Sequence, residues 1–306
     1  MIPMVDLSTI VCGTKLKNPT MLASGILGET GASLLRAAKN GAGAVVTKSI
    51  GKNAVPGYAN PTVVDVERGL LNAMGLPNPG VDEYRSEVKT ALGGNVPVIG
   101  SIFGGNVQEF VEVAKKMESH GVSALELNMS CPHVKGYGAS IGQSADRVFE
   151  ITGEVRKNVR VPVFVKLTPN VTDIVSIAKA VEESGGNAVV AINTVKAMNI
   201  NVDAKIPALS NKIGGYSGCG IKPIGVRCVY EIAQEVHIPI IGVGGIMNGR
   251  DAVEYLMAGA TAVQIGSAVH YNGVGIFKEV CKEIKDWMKK NKYEKISDII
   301  GIAQKR

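Results

Sequence analysis

Residues 239–245 read Pro-Ile-Ile-Gly-Val-Gly-Gly, and residues 262–268 read Ala-Val-Gln-Ile-Gly-Ser-Ala, with one helix-length stretch between them. Both runs are apolar almost without alternation, which marks strands covered on both faces, as in a parallel sheet walled by helices. Both end in glycine or a small polar residue, where backbone can approach a ligand closely. Outward from this pair the same unit recurs, with apolar runs at 21–25, 43–49, 97–103, 124–130, 162–167 and 188–194. Amphipathic stretches separate them. Asn106 reads as an N-cap with Glu109 three residues on, and Phe110, Val113, Ala114 and Met117 then form one apolar stripe. Ile174, Ile177, Ala178 and Val181 repeat that spacing after Thr172. Eight strand–helix repeats predict an α/β chain closed into a (β/α)8 TIM barrel rather than an open doubly wound sheet.

The length of 306 residues suits one such barrel, so residues 1–306 read as a single domain without linker or low-complexity segment. Residues 5–19, with Gly13 and Pro19, predict an N-terminal β-hairpin closing the barrel floor. Two connections are long, 51–96 and 195–238. Both follow the C-terminal ends of strands, the side on which this fold builds active sites.

Composition narrows the class. Hydrophobic content of 45% and charged content of 20% are globular values. The net charge is +6 and the pI about 9.0, yet Lys and Arg are dispersed. The densest basic stretch, Lys285, Lys289, Lys290 and Lys292, reads as the solvated face of a C-terminal helix. A nucleic-acid binder would show a basic stripe, so that class is disfavoured. Five cysteines, at 12, 131, 219, 228 and 281, are odd in number and lack CxxC spacing. This argues against a disulfide framework or a metal site and for a reducing cytoplasm. No signal peptide is read at Met1–Asp6. The uncharged run 255–277 is interrupted by Gln264, Ser267, His270, Asn272 and glycines, so it reads as a strand plus ligand loop rather than a membrane span.

Polar residues gather at the ends of every strand run but the third: Ser24, Lys48 and Ser49, Asn128 and Ser130, Lys166, Asn193 and Thr194, Gly244 and Gly245, Gly266 and Ser267. Each alone reads equally well as a turn or cap residue; together they read as the lining of a barrel mouth. Gly244-Gly245 and Gly266-Ser267, after the last two strands, form a candidate phosphate cradle. Gly25, Gly28 and Gly31 lack the dinucleotide spacing and are not read as a nicotinamide site. Cys131 follows the fourth strand and opens a loop with Pro132, Gly136 and Gly138, a poor core environment for a thiol that is otherwise a small buried hydrophobe. A thiol made acidic by neighbouring cations accepts a proton near neutral pH. Lys48 and Lys166 are the two cations read as facing the mouth, where a buried ammonium needs an anion. Lys166 as a Schiff-base lysine is the alternative.

Thr-Lys-Ser49, Asn-Ala-Met-Gly-Leu-Pro-Asn78, Asn-Met-Ser-Cys-Pro132, Ile-Asn-Thr194, Ser-Gly218 and Gly-Val-Gly-Gly245 occur in this order. With them the chain resembles the dihydroorotate dehydrogenases, and is most similar to the class B (NAD-linked) catalytic subunit, from end to end. The resemblance implies oxidation of (S)-dihydroorotate to orotate in pyrimidine (UMP) biosynthesis. It implies FMN held by Ser24, Lys48, Ser49, Asn128, Lys166, Ile192, Gly218, Gly244, Gly245, Gly266 and Ser267. Substrate contacts would come from Lys48, Asn72, Ala73, Met74, Gly75, Leu76, Asn128, Asn193 and Thr194. Cys131 would be the catalytic base, taking the C5 proton while hydride leaves C6 for flavin N5. Electrons would pass to NAD through a separate subunit carrying FAD and a 2Fe-2S cluster, joined to a homodimer core as a heterotetramer. The chain departs from the family pattern at His133, where Asn is usual, and at Cys219, where Pro is common. Four readings rival this one: a fumarate-linked enzyme acting alone, a tRNA dihydrouridine synthase, a flavin-free phosphate-binding aldolase, and a non-catalytic FMN scaffold. No membrane partner is expected.

Overall fold

A computed structural model describes residues 5–129 and 141–305. The chain opens with β1 (Thr9–Val11) and β2 (Thr14–Leu16), an antiparallel hairpin. Its two-residue turn places Cys12 at φ 49 and Gly13 at φ 78, the left-handed pair that matches the twist of a tight hairpin. Next come β3 (Thr20–Leu22), α1 (Gly31–Lys39), β4 (Ala44–Val46), β5 (Val63–Val66), β6 (Gly69–Asn72), α2 (Arg85–Leu92), β7 (Val98–Ile102), α3 (Val107–Ser119), β8 (Ala124–Asn128), α4 (Ala145–Asn158) and β9 (Val163–Leu167). The second half runs α5 (Ile174–Glu183), β10 (Ala188–Ala191), β11 (Val195–Met198), β12 (Ile200–Asn201), β13 (Ile206–Pro207), β14 (Ile213–Ser217), α6 (Lys222–Ala233), β15 (Ile240–Val243), α7 (Gly249–Ala258), β16 (Ala262–Ile265), α8 (Ser267–Asn272) and α9 (Ile276–Lys290).

Strands β3, β4, β7, β8, β9, β10, β15 and β16 close into a parallel barrel in that order, as the eight apolar runs predict. Alternate residues face the lumen. Met21, Ala44, Val46, Ile99, Ala124, Phe164, Ala188, Val190, Ile241 and Ala262 make one interior cluster there. Val11 and Leu16 of the hairpin join that cluster from below, so the hairpin is the floor the sequence predicts. The other parity of each strand packs outward on the helices. In α3, Phe110, Val113, Ala114 and Met117 are all buried, and Asn106 accepts from the Glu109 N–H as its N-cap. The lysines at the end of α9 lie opposite its buried Ile276, Phe277, Val280, Ile284 and Met288.

Two readings need correction. The strands stop short of the runs that predicted them: β4 ends at Val46 and β10 at Ala191, three residues before Ser49 and Thr194. Beyond those points pairing continues only as single backbone bonds, as from the Asn193 N–H to Leu167 O at 2.8 Å and the Ile50 N–H to Ser101 O at 3.0 Å, while the Lys48 N–H leaves the sheet for Gly28 O. Helix α5, whose apolar stripe was read after Thr172, starts from an Asp173 cap that accepts from the N–H groups of Val175 and Ser176. The uncharged run 255–277 is more helical than a strand plus loop, starting in the last turn of α7 and reaching through β16 and α8 into α9. Its periodic apolar residues serve helix faces, which a charge count does not distinguish from a strand. Among the described residues, no helix is long and apolar enough to cross a membrane.

The two long connections do not stay irregular. β6 pairs antiparallel with β5 and with β14, and β14 pairs with β11, giving a four-stranded sheet assembled from both insertions. This canopy belongs to the same side of the barrel as the strand C-termini.

Candidate active site

Side chains from four neighbouring or facing strand ends meet at the mouth through hydrogen bonds. Ser24 and Ser49 hydroxyls are 3.4 Å apart. Asn128 Nδ2 donates to Ser49 Oγ at 3.0 Å, and Asn193 Nδ2 donates to Asn128 Oδ1 at 3.4 Å. Asn193 Oδ1 in turn accepts from the Thr194 N–H at 2.8 Å. Residues predicted separately at the ends of β3, β4, β8 and β10 are therefore one network. Its amides supply both donors and acceptors, the complement of a ring with alternating N–H and C=O groups.

Two nearly buried lysines flank the network. Lys48 is 8% exposed, and among the described residues its ammonium has neither hydrogen bond nor ion pair. Its position is fixed by backbone: its N–H donates to Gly28 O at 2.9 Å. A near-buried ammonium without a partner is costly unless an anion arrives. Lys166, 6% exposed, lies opposite Asn128 in the β8–β9 register. It does not wait for a ligand alone. Its ammonium donates to Gln264 Oε1 at 3.3 Å and stands 3.5 Å from Glu126 Oε1.

The canopy brings in the second predicted segment. Asn72, the last residue of β6, donates through Nδ2 to Gly215 O at 3.1 Å. Gly215 also lies against Thr194, since a Cβ there would come within 2.1 Å of Thr194 Oγ1. Asn72 and Thr194 are thus placed on one glycine. Ala73–Leu76 follow as a segment held by backbone bonds to residues 58–62, the Ala73 N–H donating to Thr62 O at 2.8 Å. The Tyr58 N–H donates to Met74 O at 3.0 Å, and Gly75 and Leu76 sit at φ 75 and 54. Asn78 pins this segment to the barrel by accepting from the N–H groups of Gly51 and Gly80.

The glycine pairs form the part of the mouth able to hold a phosphate. Gly218, Gly244 and Gly245 have φ of 104, 133 and 69, open only to glycine at little cost. A Cβ on Gly245 would stand 2.7 Å from Gly218 O, so the loops after β14 and β15 touch back to back. Among the described residues, the N–H groups of Gly244, Gly245 and Gly266 donate to no protein acceptor. Free amides on the glycine loops that follow β15 and β16 make an anion cradle, and this donor set fits a phosphate. Ile192 is buried beside Gly244, with its N–H on Val243 O at 2.9 Å. Ser267 opens α8 directly after Gly266.

Ser130, Cys131 and His133 lie outside the described residues. Cys219 is exposed, with its sulfur 3.3 Å from Arg68 O. The other thiols sit away from the mouth: Cys12 contacts Asn187 O in the floor, and burial pushes the Cys12 thiol up to about 11. No group of three or more His, Cys, Asp or Glu is placed to hold a metal ion among the described residues.

Three participants were not singled out from sequence. Ser101 in β7, the one strand whose end gave no polar signal, shares a 2.9 Å hydrogen bond with Ser49. Glu126 and Gln264 form a buried polar rung with Lys166. The available signal was parity: Glu126 lies two residues before Asn128, and Gln264 two before Gly266, so both share the lumen face of their strands.

A family model described as "Dihydroorotate dehydrogenase" matches residues 6–288. The chain is 56% identical over 301 residues to a protein of Methanocaldococcus jannaschii named "Dihydroorotate dehydrogenase B (NAD(+)), catalytic subunit", covering 97% of this chain and 98% of the relative. Proteins of the same name are 49% identical over 300 residues in Thermoplasma acidophilum, covering 98% of this chain and 99% of the relative. In Methanocella arvoryzae the identity is 52% over 293 residues, with 96% of each covered.

Proposed function

This chain belongs to the dihydroorotate dehydrogenase family of oxidoreductases, and from that premise we propose that it oxidises (S)-dihydroorotate to orotate in pyrimidine biosynthesis as a single FMN-binding barrel. The observation that carries this reading is the mouth itself, where an amide network lies beside a nearly buried Lys48 whose ammonium has no partner among the described residues. A small anionic heterocycle with imide edges is the ligand such a surface matches.

Bound FMN supplies a two-electron acceptor for the hydride at C6 of the substrate. The glycine loops at 218, 244–245 and 266, with Ser267, hold its phosphate; Ser24, Ser49, Asn128, Lys166 and Ile192 flank the rest. Lys48 meets the substrate carboxylate. Asn72, Asn128, Asn193 and Thr194 fix the ring by its N–H and C=O groups, with Ala73, Met74, Gly75 and Leu76 closing over it. Cys131 takes the C5 proton. Orientation is the larger part of the work, because deprotonation and hydride loss must occur on one ring held in a single pose.

The relatives' printed names support an NAD-linked system with a second subunit, here read as one carrying FAD and a 2Fe-2S cluster on a homodimer of this chain. The free thiols of Cys12, Cys219, Cys228 and Cys281 favour a cytoplasmic setting.

The test is anaerobic addition of dihydroorotate to the FMN-loaded chain, followed by fumarate or NAD. Bleaching of the flavin absorbance, with no reoxidation by either acceptor until a partner subunit is supplied with NAD, is expected. A flavin that dihydroorotate leaves oxidised removes the proposal, and reoxidation by fumarate alone removes its NAD-linked part.

A further inference from the structure

Beneath the mouth, the lumen holds three polar side chains where apolar ones would pack. Glu126 and Gln264 are fully buried at 0% exposure. Gln264 bridges the set: its Nε2 donates to Glu126 Oε2 at 2.6 Å, and its Oε1 accepts from Lys166 Nζ at 3.3 Å. Glu126 Oε1 faces the same ammonium at 3.5 Å, within ion-pair range, yet has no hydrogen-bond partner of its own. A buried carboxylate oxygen left without a donor lowers stability, and a buried pair is commonly no better than an apolar replacement. The rung immediately below, Ala124, Phe164 and Ala262 on the same three strands, is apolar. Filling this part of the lumen therefore does not require charge.

The geometry of Lys166 gives the charge a use. The ammonium has three donors; one reaches Gln264 at the long end of the hydrogen-bond range, and Lys166 lies in register with Asn128, a node of the mouth network. We infer that Glu126 and Gln264 are positioning residues that act through Lys166: Glu126 sets the net charge felt by bound FMN, and Gln264 sets the height of the ammonium in the lumen. This rests on the FMN reading above. A cation beside FMN favours the reduced, more electron-rich form, and the Glu126 carboxylate opposes that preference. Removing the carboxylate charge strengthens the cation's influence. Removing the amide bridge lets the carboxylate draw the ammonium down, which weakens it. The two changes act in opposite senses.

The experiment is spectroelectrochemical titration of the FMN-loaded chain at pH 7, with apoprotein melting followed alongside. Glu126→Gln is expected to raise the ratio of affinities for reduced over oxidised FMN roughly tenfold, a shift of ~30 mV to positive potential for a two-electron couple. Gln264→Met is expected to shift the potential the other way while retaining FMN. Lys166→Met serves as the reference and lowers the potential. If Lys166→Met lowers it but Glu126→Gln leaves it unchanged or lowers it, the inference is overturned and the FMN reading stands. If Glu126→Gln does not fold, a positive or absent shift in Gln264→Met overturns it instead. A chain that binds no FMN, or a potential indifferent to Lys166→Met, removes the reading beneath. A purely structural rung would lower melting in both variants without shifts of opposite sign.

Discussion

The floor and the mouth of the barrel are built by the same strands and obey different rules. Along β8 the lumen face runs Ala124, Glu126, Asn128; along β4 and its extension it runs Ala44, Val46, Lys48. The first rung is apolar and plugged by Val11 and Leu16 of the hairpin. The last carries amides joined across strands, together with the Lys166 ammonium bonded to Gln264 and the Lys48 ammonium. One strand thus spends its first lumen position on packing and its last on recognition, so stability and chemistry are separable along the barrel axis.

The sharpest break of that separation is at the mouth. Cys131→Ala is expected to retain FMN and melting temperature while slowing dihydroorotate-dependent flavin bleaching on the order of 10²–10⁴-fold, the range of general-base assistance. Unchanged bleaching in stopped flow would remove Cys131 as the base. At the floor the pattern should invert. Leu16 is 2% exposed, and Leu16→Ala is expected to cost about 2–5 kcal/mol in denaturant unfolding, with bleaching kinetics unchanged. A variant that kept its stability but lost rate would show that floor and mouth are coupled after all.

The smallest effect concerns pH. Burial raises the Cys12 thiol from its ordinary 9.0 to about 11. A raised value means the folded chain holds the proton more tightly than the unfolded one. The stability tied to the neutral thiol is therefore complete below pH 9 and lost as pH rises through about 11. Melting of Cys12→Ala compared with the parent chain should show a gap that changes only across that window; a constant gap would mean that the floor does not discriminate between thiol and thiolate.

The barrel was legible because buried parallel strands leave uninterrupted apolar runs, and all eight runs became barrel strands. The strand ends were read too long because the runs continue in sequence while their backbone turns away, the Lys48 N–H to Gly28 O and the Thr194 N–H to the Asn193 side chain. The canopy was illegible for a different reason. β6 and β14 pair across more than a hundred positions, and nothing local in either segment announces the other. The polar residues at strand ends that join in one network, Ser24, Ser49, Asn128 and Asn193, were legible from polarity, whereas Glu126, Gln264 and Ser101 were missed because each sits inside an apolar run where a single polar letter is easily read as noise. The alternation of lumen and helix faces separates such a residue from chance.

Gly215, within the 195–238 insertion, accepts from Asn72 of the 51–96 insertion and packs on Thr194 just after β10. Neither insertion can be transplanted by itself. A chimaera that exchanges residues 51–96 with those of a relative imports a strand edge whose mate is still in the host's 195–238. Hybrids respecting both segments together should keep substrate affinity; those exchanging one should lose it even where every contacting side chain is identical.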